Sequence, residues 1–457
     1  MVTRDEEIII AQCTPQGKGA LALIRLSGPQ VRTLVGAFAR LASGKKIEEV
    51  LSHTIHYGNI YDNNGTSIDH VMVIVMDSPK TFTGQDTIEI TCHNNPFLIE
   101  ALIAQAVKHG ARMAQEGEFT KRAFLQGKVD LLQAEAINEL ISANTQLALK
   151  KSLSQLEGSF SHWISILERE LIRALAWCEA SFEFLDEEAE FGPQIKDQIA
   201  TVLEKIVELK KTFDAQQQIR QGIRIALIGS VNAGKSSIFN ALLGHSRAIV
   251  TSIAGTTRDV IEAGVYRNGN YWTLIDTAGL RQTADIIEQE GIKRSFEEAH
   301  KADIIVLVFD GSRPLTQEEQ KVYKELLYKY EHKIILVHNK TDLPLSPEHT
   351  LKDQVNIQFS TVTQEYNAQL ETALENRIQE LFSSLDSPFL LNKRQHTLLL
   401  GLEKKLNIIL ELLYGVIQYE IVSYHLKDAL EYISELTGRS VSEAGMDMVF
   451  KEFCVGK

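Results

Sequence analysis

Cysteine is scarce in this chain: Cys13, Cys92, Cys178 and Cys454 stand far apart among 457 residues and form no CxxC pair. That spacing indicates neither a disulfide framework nor a zinc site. No apolar run approaches the ~20 residues needed to cross a membrane, and no basic N-terminal start leads into a long apolar core. A cytoplasmic protein without membrane attachment is expected. Positive charge is also short, since 47 Lys and Arg against 60 Asp and Glu leave a net charge of −13. A broad electrostatic footprint for nucleic acid is thereby disfavoured, so any RNA contact is local or shared with a partner. The chain carries no flavin fingerprint and no KH-like GxxG module. In the N-terminal part no pairing of nucleophile and base stands out.

A phosphate loop is present. Residues Gly229-Ser230-Val231-Asn232-Ala233-Gly234-Lys235-Ser236 read GxxxxGK[ST], and the run from Ile223 to Ile228, apolar but for Arg224, leads directly into them. A buried strand there ends in a turn whose consecutive backbone N–H groups face inward, and a helix starting near Lys235 offers its positive dipole end to phosphate oxygens. Lys235 then reaches the β and γ phosphates, and Ser236 ligates Mg²⁺. Downstream, the strand-like stretch Trp272 to Ile275 runs into Asp276-Thr277-Ala278-Gly279, a DxxG that holds Mg²⁺ through water and senses the γ-phosphate through the Gly279 N–H. A third apolar strand, Ile334 to Val337, ends in Asn339-Lys340-Thr341-Asp342. The Asp342 carboxylate can accept both the N1 and N2 protons of guanine, an edge that adenine lacks, so the nucleotide is GTP. The last guanine contact is expected at Ser360, in Ser360-Thr361-Val362 after a short strand near Ile357.

With 44% hydrophobic composition the chain can bury several cores, and two or three domains are expected. Residues 1–118 mix strand-like runs (Ile8 to Ala11, Ala20 to Leu26, Val71 to Met76, Thr87 to Cys92) with helical segments such as Pro96 to His109. This reads as an α/β domain. From 119 to 217 long helices follow, with Leu132, Ala136, Ile137, Leu140 and Ile141 on one stripe at helical spacing. The GTPase block occupies 218–384, and 385–457 returns to helix, as in Leu398 to Leu413 and Ser423 to Thr437. The economical arrangement is a multidomain α/β plus α protein with a Ras-like P-loop G domain inserted into a helical domain. The acidic run at Asp186, Glu187, Glu188 and Glu190 reads as solvated linker or helix surface rather than a metal site.

Between the phosphate loop and DxxG, just after Thr251 and Ser252, lies a switch-type loop, Ile253-Ala254-Gly255-Thr256-Thr257-Arg258-Asp259, in which Thr257 is the choice to complete the Mg²⁺ shell. Many regulatory GTPases place a water-orienting glutamine directly after the DxxG glycine. Here that residue is Leu280, and an aliphatic chain cannot position water. Another group must supply the function, and Asp285, Glu288 and Glu290 of the segment Arg281 to Gly291 are the candidates. Periodicity does not choose among them.

The strings Gly229 to Ser237, Ala248 to Asp259 and Asp276 to Arg281, together with the final Cys454-Val455-Gly456-Lys457, resemble the MnmE (TrmE) family of tRNA-modifying GTPases. Ala11 to Gly28, Thr83 to Glu89, Gly117 to Ala136 and the acidic stretch after Phe182 extend the likeness along the whole chain. The resemblance implies a homodimeric, potassium-activated GTPase that works with an FAD-containing MnmG/GidA-type partner in a heterotetramer or larger complex. Together they would place a carboxymethylaminomethyl or aminomethyl group on carbon 5 of the wobble uridine of tRNA. The flavin, and most tRNA contacts, would belong to the partner.

It further implies nucleotide contacts over Asn232 to Ser237, including Ser237, and over Thr251 to Thr257. Potassium would be held by Asn232, Thr251, Ile253 and Thr256, and Glu288 falls on the catalytic glutamate. A reduced folate, 5-formyl- or methylene-tetrahydrofolate, would sit at Arg25, Glu89, Lys128 and Lys457, with Cys454 serving the modification chemistry. Two positions depart from the family pattern. Val231 replaces a proline of the phosphate loop, and His93-Asn94-Asn95-Pro96 stands where His-Gly-Gly-Pro is usual. The competing class is a non-catalytic GTP-dependent switch, such as a ribosome-assembly GTPase, in which Arg25, Glu89, Lys128 and Cys454 would be bystanders.

Overall fold

The computed structural model describes residues 7–183, 191–211, 213, 220, 222–244, 261–276, 287–344, 356–360, 362, 365–383 and 387–456. The chain divides into two units, one of residues 1–138, 153–204 and 397–457 and the other of 139–152 and 205–396.

The first unit is built on seven strands: β1 (Ile9–Gln12), β2 (Leu21–Ser27), β3 (Ala39–Leu41), β4 (Thr54–Tyr61), β5 (Ser67–Met76), β6 (Thr87–His93) and β7 (Arg112–Met113). Their order in the sheet is β3-β4-β5-β6-β2-β1-β7, antiparallel except for the β1–β7 pair. Alternation at period two decides which face is buried. Ile24 and Leu26 of β2, Val71, Val73 and Val75 of β5, and Ile88 and Ile90 of β6 lie inward in one core with Val35 and Phe38 of the helix Val31–Phe38 and Leu102 of the helix Pro96–Lys108. The opposite face is covered at β1, where Phe119 and Ala114 pack with Ile9 and Ala11, while Leu21, Ile55, Tyr57 and Met72 are exposed.

Asn95 caps the helix that follows β6, accepting the Phe97 N–H at 3.0 Å ahead of Pro96 in its first turn. Asn94 donates to the Gly17 carbonyl at 2.8 Å. The two asparagines that depart from the family pattern therefore fix a loop and a helix start. In the same unit the helix Ser159–Glu183 packs on Tyr419–Thr437, and Arg439 reaches Glu168 at 2.6 Å. The expected stripe on the helix Leu131–Ser142 buries only at its start: Leu132 and Ala136 are buried, whereas Ile141 is 54% exposed.

The second unit holds six strands: β8 (Ile223–Gly229), β9 (Ile261–Arg267), β10 (Asn270–Asp276), β11 (Ile304–Asp310), β12 (Ile334–Asn339) and β13 (Asn356–Phe359). Their order is β13-β12-β11-β8-β10-β9, parallel apart from the β9–β10 hairpin. All seven residues of β11 are buried, as a central strand covered on both faces requires. Residues 139–152 belong to this unit because they bind its hairpin. Gln146 N–H donates to Gly269 O at 2.8 Å, Tyr271 N–H to Asn144 O at 2.9 Å, and Arg220 pairs with Glu139 at 2.9 Å. Among the described residues no helix is long and apolar enough to cross a membrane.

Candidate functional site: a nucleotide site and a tail seat

Strand register gathers the three nucleotide motifs. Val308 of β11 lies opposite Gly229, Asp276 of β10 opposite Leu227, and Asp310 opposite Asn339, so all the motif-bearing strand ends share the C-terminal edge of the sheet. Ligands of open α/β sheets bind at that edge. The helix Lys235–Gly244 begins inside the phosphate loop and turns its N-terminal, positive dipole end there. Gly234 has φ +94°, and a Cβ added to it would stand 1.8 Å from Asn339 Nδ2. Only glycine fits there. Asn339 in turn donates to the Ala233 carbonyl at 2.7 Å, tying the base-reading motif to the phosphate loop. Asn232 is exposed with φ 62°, a left-handed conformation that asparagine tolerates better than most residues.

Lys235 is 6% exposed, and its Nζ donates to the carbonyls of Gly229 and Ser230, both at 2.7 Å. Burial lowers its pKa, partly offset by the Asp276 carboxylate. A buried cation beside inward N–H groups suits a polyphosphate. At the base-reading end, Ser360 is fully buried and donates to Asp342 Oδ1 at 2.7 Å while accepting the Val362 N–H. Ser360 thus orients the carboxylate expected to read guanine. Lys340, at φ 64°, donates to Asp310 Oδ2 at 2.6 Å. Burial alone would raise the Asp310 pKa, but hydrogen bonds from Lys340 and Ser312 outweigh it and hold it low.

Behind the loop lies a brace that sequence reading missed. The buried Tyr323 hydroxyl accepts the Ser230 N–H at 2.8 Å and donates to Val308 O at 3.3 Å. Arg313 grips Glu319 with two bonds of 2.9 and 2.6 Å. Glu319 also closes the capping box with Thr316 on the helix Gln317–Tyr330. The capping pattern Thr316-x-x-Glu319 was a readable signal; nothing in the spacing of Tyr323 points to Ser230.

In the other unit, Arg25 of β2 and Glu89 of β6 are register partners and pair at 2.7 Å. The Arg25 guanidinium lies 5.5 Å from the Phe82 ring centroid and 5.6 Å from that of Phe119. Lys128 donates to Pro79 O at 2.7 Å. The β5–β6 loop therefore carries both the ring against Arg25 and the carbonyl held by Lys128. The C-terminal tail returns to this sheet: Val455 bridges Glu116, and the Gly456 carbonyl accepts from Cys13 Sγ at 3.1 Å. Burial pushes the Cys13 thiol pKa up, with Arg25 opposing the rise in part. Cys454 is exposed.

The family model described as MnmE helical domain matches residues 131–454, and that of the TrmE N-terminus matches 8–128. The chain belongs to the MnmE family. The protein of Thermotoga petrophila named tRNA modification GTPase MnmE is 37% identical over 99% of this chain and all of its own length. Relatives of the same name from Aquifex aeolicus and Bacillus subtilis are 38% and 36% identical at equal coverage. Among solved structures, the G domain of the T. maritima FeoB iron transporter is 26% identical over 34% of this chain and 98% of its own length, with a TM-score of 0.27.

Membership in the MnmE family, with the phosphate loop and base-reading motif in place, makes the chain a GTP hydrolase. Of the residues singled out, Asn232 to Ser237, Asp276, Asn339, Lys340, Asp342 and Ser360 fall in the nucleotide-site unit. Arg25 and Glu89 meet directly, and Lys128 joins them through the loop that carries Pro79 and Phe82. Residues 251–257 and 277–280, Asp285 and Lys457 lie outside the described residues, and Glu288 is described only as backbone of the helix Ile287–Lys301.

Proposed function

We propose that this chain is a cytoplasmic, homodimeric, potassium-activated GTPase that modifies carbon 5 of the wobble uridine of tRNA together with an FAD-containing MnmG/GidA-type partner, with a reduced folate as one-carbon donor. The observation that carries the reading is the pair of sites in one chain of this family: a complete phosphate loop with its guanine-reading turn, and an Arg25–Glu89 pair with the C-terminal tail seated on the same sheet. A switch that used only its nucleotide state would have no need of the second.

Mg²⁺ fits the hydroxyl of Ser236, exposed at the start of its helix, with Asp276 at the neighbouring strand end, since that ion prefers oxygen ligands. Thr257 would complete the set. Potassium suits the amide oxygen of Asn232, together with Thr251, Ile253 and Thr256. Bound there, a cation supplies the charge neutralisation that an arginine finger supplies elsewhere. This chain's own residues do the rest. Lys235 and the loop N–H groups hold the phosphates, Asp342 and Ser360 read the base, and Glu288 orients the attacking water. The Glu89 carboxylate suits the pterin's amide and amine edge, while Arg25, Lys128 and Lys457 suit the folate glutamate tail. The exposed Leu21, Ile55, Tyr57 and Met72 on the part of that sheet face left uncovered support a homodimer through the N-terminal unit.

The test is mass spectrometry of wobble nucleosides after incubating tRNA with this protein, the flavoprotein partner, GTP, methylene-tetrahydrofolate and either glycine or ammonium as amine donor, in potassium and in sodium buffer. Modified uridine is expected in potassium, with GTP turnover several-fold above that in sodium. Unmodified tRNA in both buffers would sink the modification reading, and equal turnover would remove the cation.

A further inference from the structure

The last residues of the described chain are seated closely. Gly456 has φ +96°, and a Cβ there would stand 2.4 Å from Gln12 O and 3.1 Å from Cys13 Cα, so the tail lies flush on the end of β1 and no side chain fits between. Cys13 extends the β1–β2 pairing by one residue through its N–H to Leu23 O at 2.8 Å, which fixes its own backbone. Its thiol then meets the Gly456 carbonyl at 3.1 Å. A carbonyl cannot donate, so the S–H must, and a thiol kept protonated by burial can do so.

Upstream, Phe450 and Phe453 are buried with Leu131 and Ala134. Gly117, at φ +65°, leaves room for them: a Cβ on it would lie 2.5 Å from Phe450 O. The Gly117 N–H reaches the Cys454 carbonyl at 3.4 Å. Cys454 is therefore strung between two anchors, the aromatic pair before it and Gly456 after it, with its own side chain exposed.

We propose that Cys13 is a positioning residue: its thiol clasps the Gly456 carbonyl and thereby holds the segment from Cys454 to Gly456 against the end of β1, the strand whose Ala11 is the register partner of Arg25. The inference rests on the reading that the tail serves tRNA modification. Cys13 itself touches no reacting group. It restrains the segment at Gly456 with one hydrogen bond, which serine can also make and alanine cannot.

Deuterium uptake of C-terminal peptides, measured on the full-length protein, tests the clasp directly. In Cys13→Ala, the peptide covering Cys454 to Lys457 should exchange about fivefold faster, the scale set by loss of one modest hydrogen bond. Peptides of the helix Glu443–Phe450 should stay unchanged, and Cys13→Ser should return uptake close to the original. Reconstituted tRNA modification should fall several-fold in Cys13→Ala and recover in Cys13→Ser, with GTP turnover within about twofold throughout. Unchanged uptake in Cys13→Ala would overturn the clasp. Faster uptake with full modification would overturn the positioning role, and it would separate a failed link to chemistry from a failed clasp.

Discussion

The nucleotide site and the tail seat are both built from strand ends and loops, yet they differ in how far along the chain their parts lie. Phosphate recognition demands several consecutive N–H groups and a helix start, which only a contiguous segment can supply, and parallel strands then bring the other motifs to the same edge. The tail seat needs special backbone only at the left-handed Gly117 and Gly456 and is otherwise assembled from distant parts of the chain. Its defining contacts join residues 64 apart, Arg25 with Glu89, and 443 apart, Cys13 with Gly456. One site is set by local backbone chemistry and the other by tertiary placement of single side chains.

The contrast breaks first at Gly234. If backbone geometry governs the nucleotide site, Gly234→Ala should weaken GTP binding by more than about 100-fold, because the new methyl meets Asn339 Nδ2 at 1.8 Å in a left-handed turn. Titration with a fluorescent guanine nucleotide measures this, and affinity within a factor of ten of the original would show that the loop yields. At the base-reading end a side chain decides. Asp342→Asn places a donor against guanine donors and should cost about 100-fold in affinity, whereas Ser360→Ala removes one orienting hydrogen bond and should cost about fivefold. Because Ser360 acts through Asp342, the double variant should bind no worse than Asp342→Asn alone. Additive losses would mean that Ser360 touches the base by itself.

The same division explains what the sequence shows and what it hides. The strands β8, β10 and β12 follow from largely apolar runs ending in turn residues, and the helix Pro96–Lys108 follows from the helical segment beginning at Pro96. The short strand β3 and the hairpin partner β9 are not announced by such runs. Their pairing is decided by neighbours, as β-propensity generally is. The stripe through Ile141 fails for a related reason: periodicity marks an apolar face but not the residue at which the covering partner ends. In the nucleotide site, the phosphate loop and the Asn339–Asp342 turn stand out in the sequence, but Tyr323, Asp310 and Arg313 do not. They act on motif residues from one strand or helix away. In the tail seat, resemblance supplies Arg25, Glu89 and Lys128, while Cys13 reads only as an isolated thiol until the tail is seen against it.

The smallest expected effect asks whether the brace behind the phosphate loop belongs to the nucleotide site or only to the scaffold. Hydrogen bonds from Arg313 hold the Glu319 pKa at about 2, against the 4.5 of an ordinary glutamate, despite the opposing effect of burial. A carboxylate depressed in the folded state contributes its full stabilisation above pH 4.5 and loses it as the pH falls toward 2. Glu319→Gln should therefore cost about 1–2 kcal/mol at pH 7, discounted for the partly exposed Arg313. By pH 3 the difference from the parent should shrink by more than half. Exchange protection of the helix Gln317–Tyr330 at the two pH values reads this change. If the brace is scaffold, the KM for GTP at pH 7 stays within about twofold. A larger rise in KM would place Arg313 and Glu319 inside the nucleotide site, through Ser230, whose hydroxyl lies 3.5 Å from Arg313.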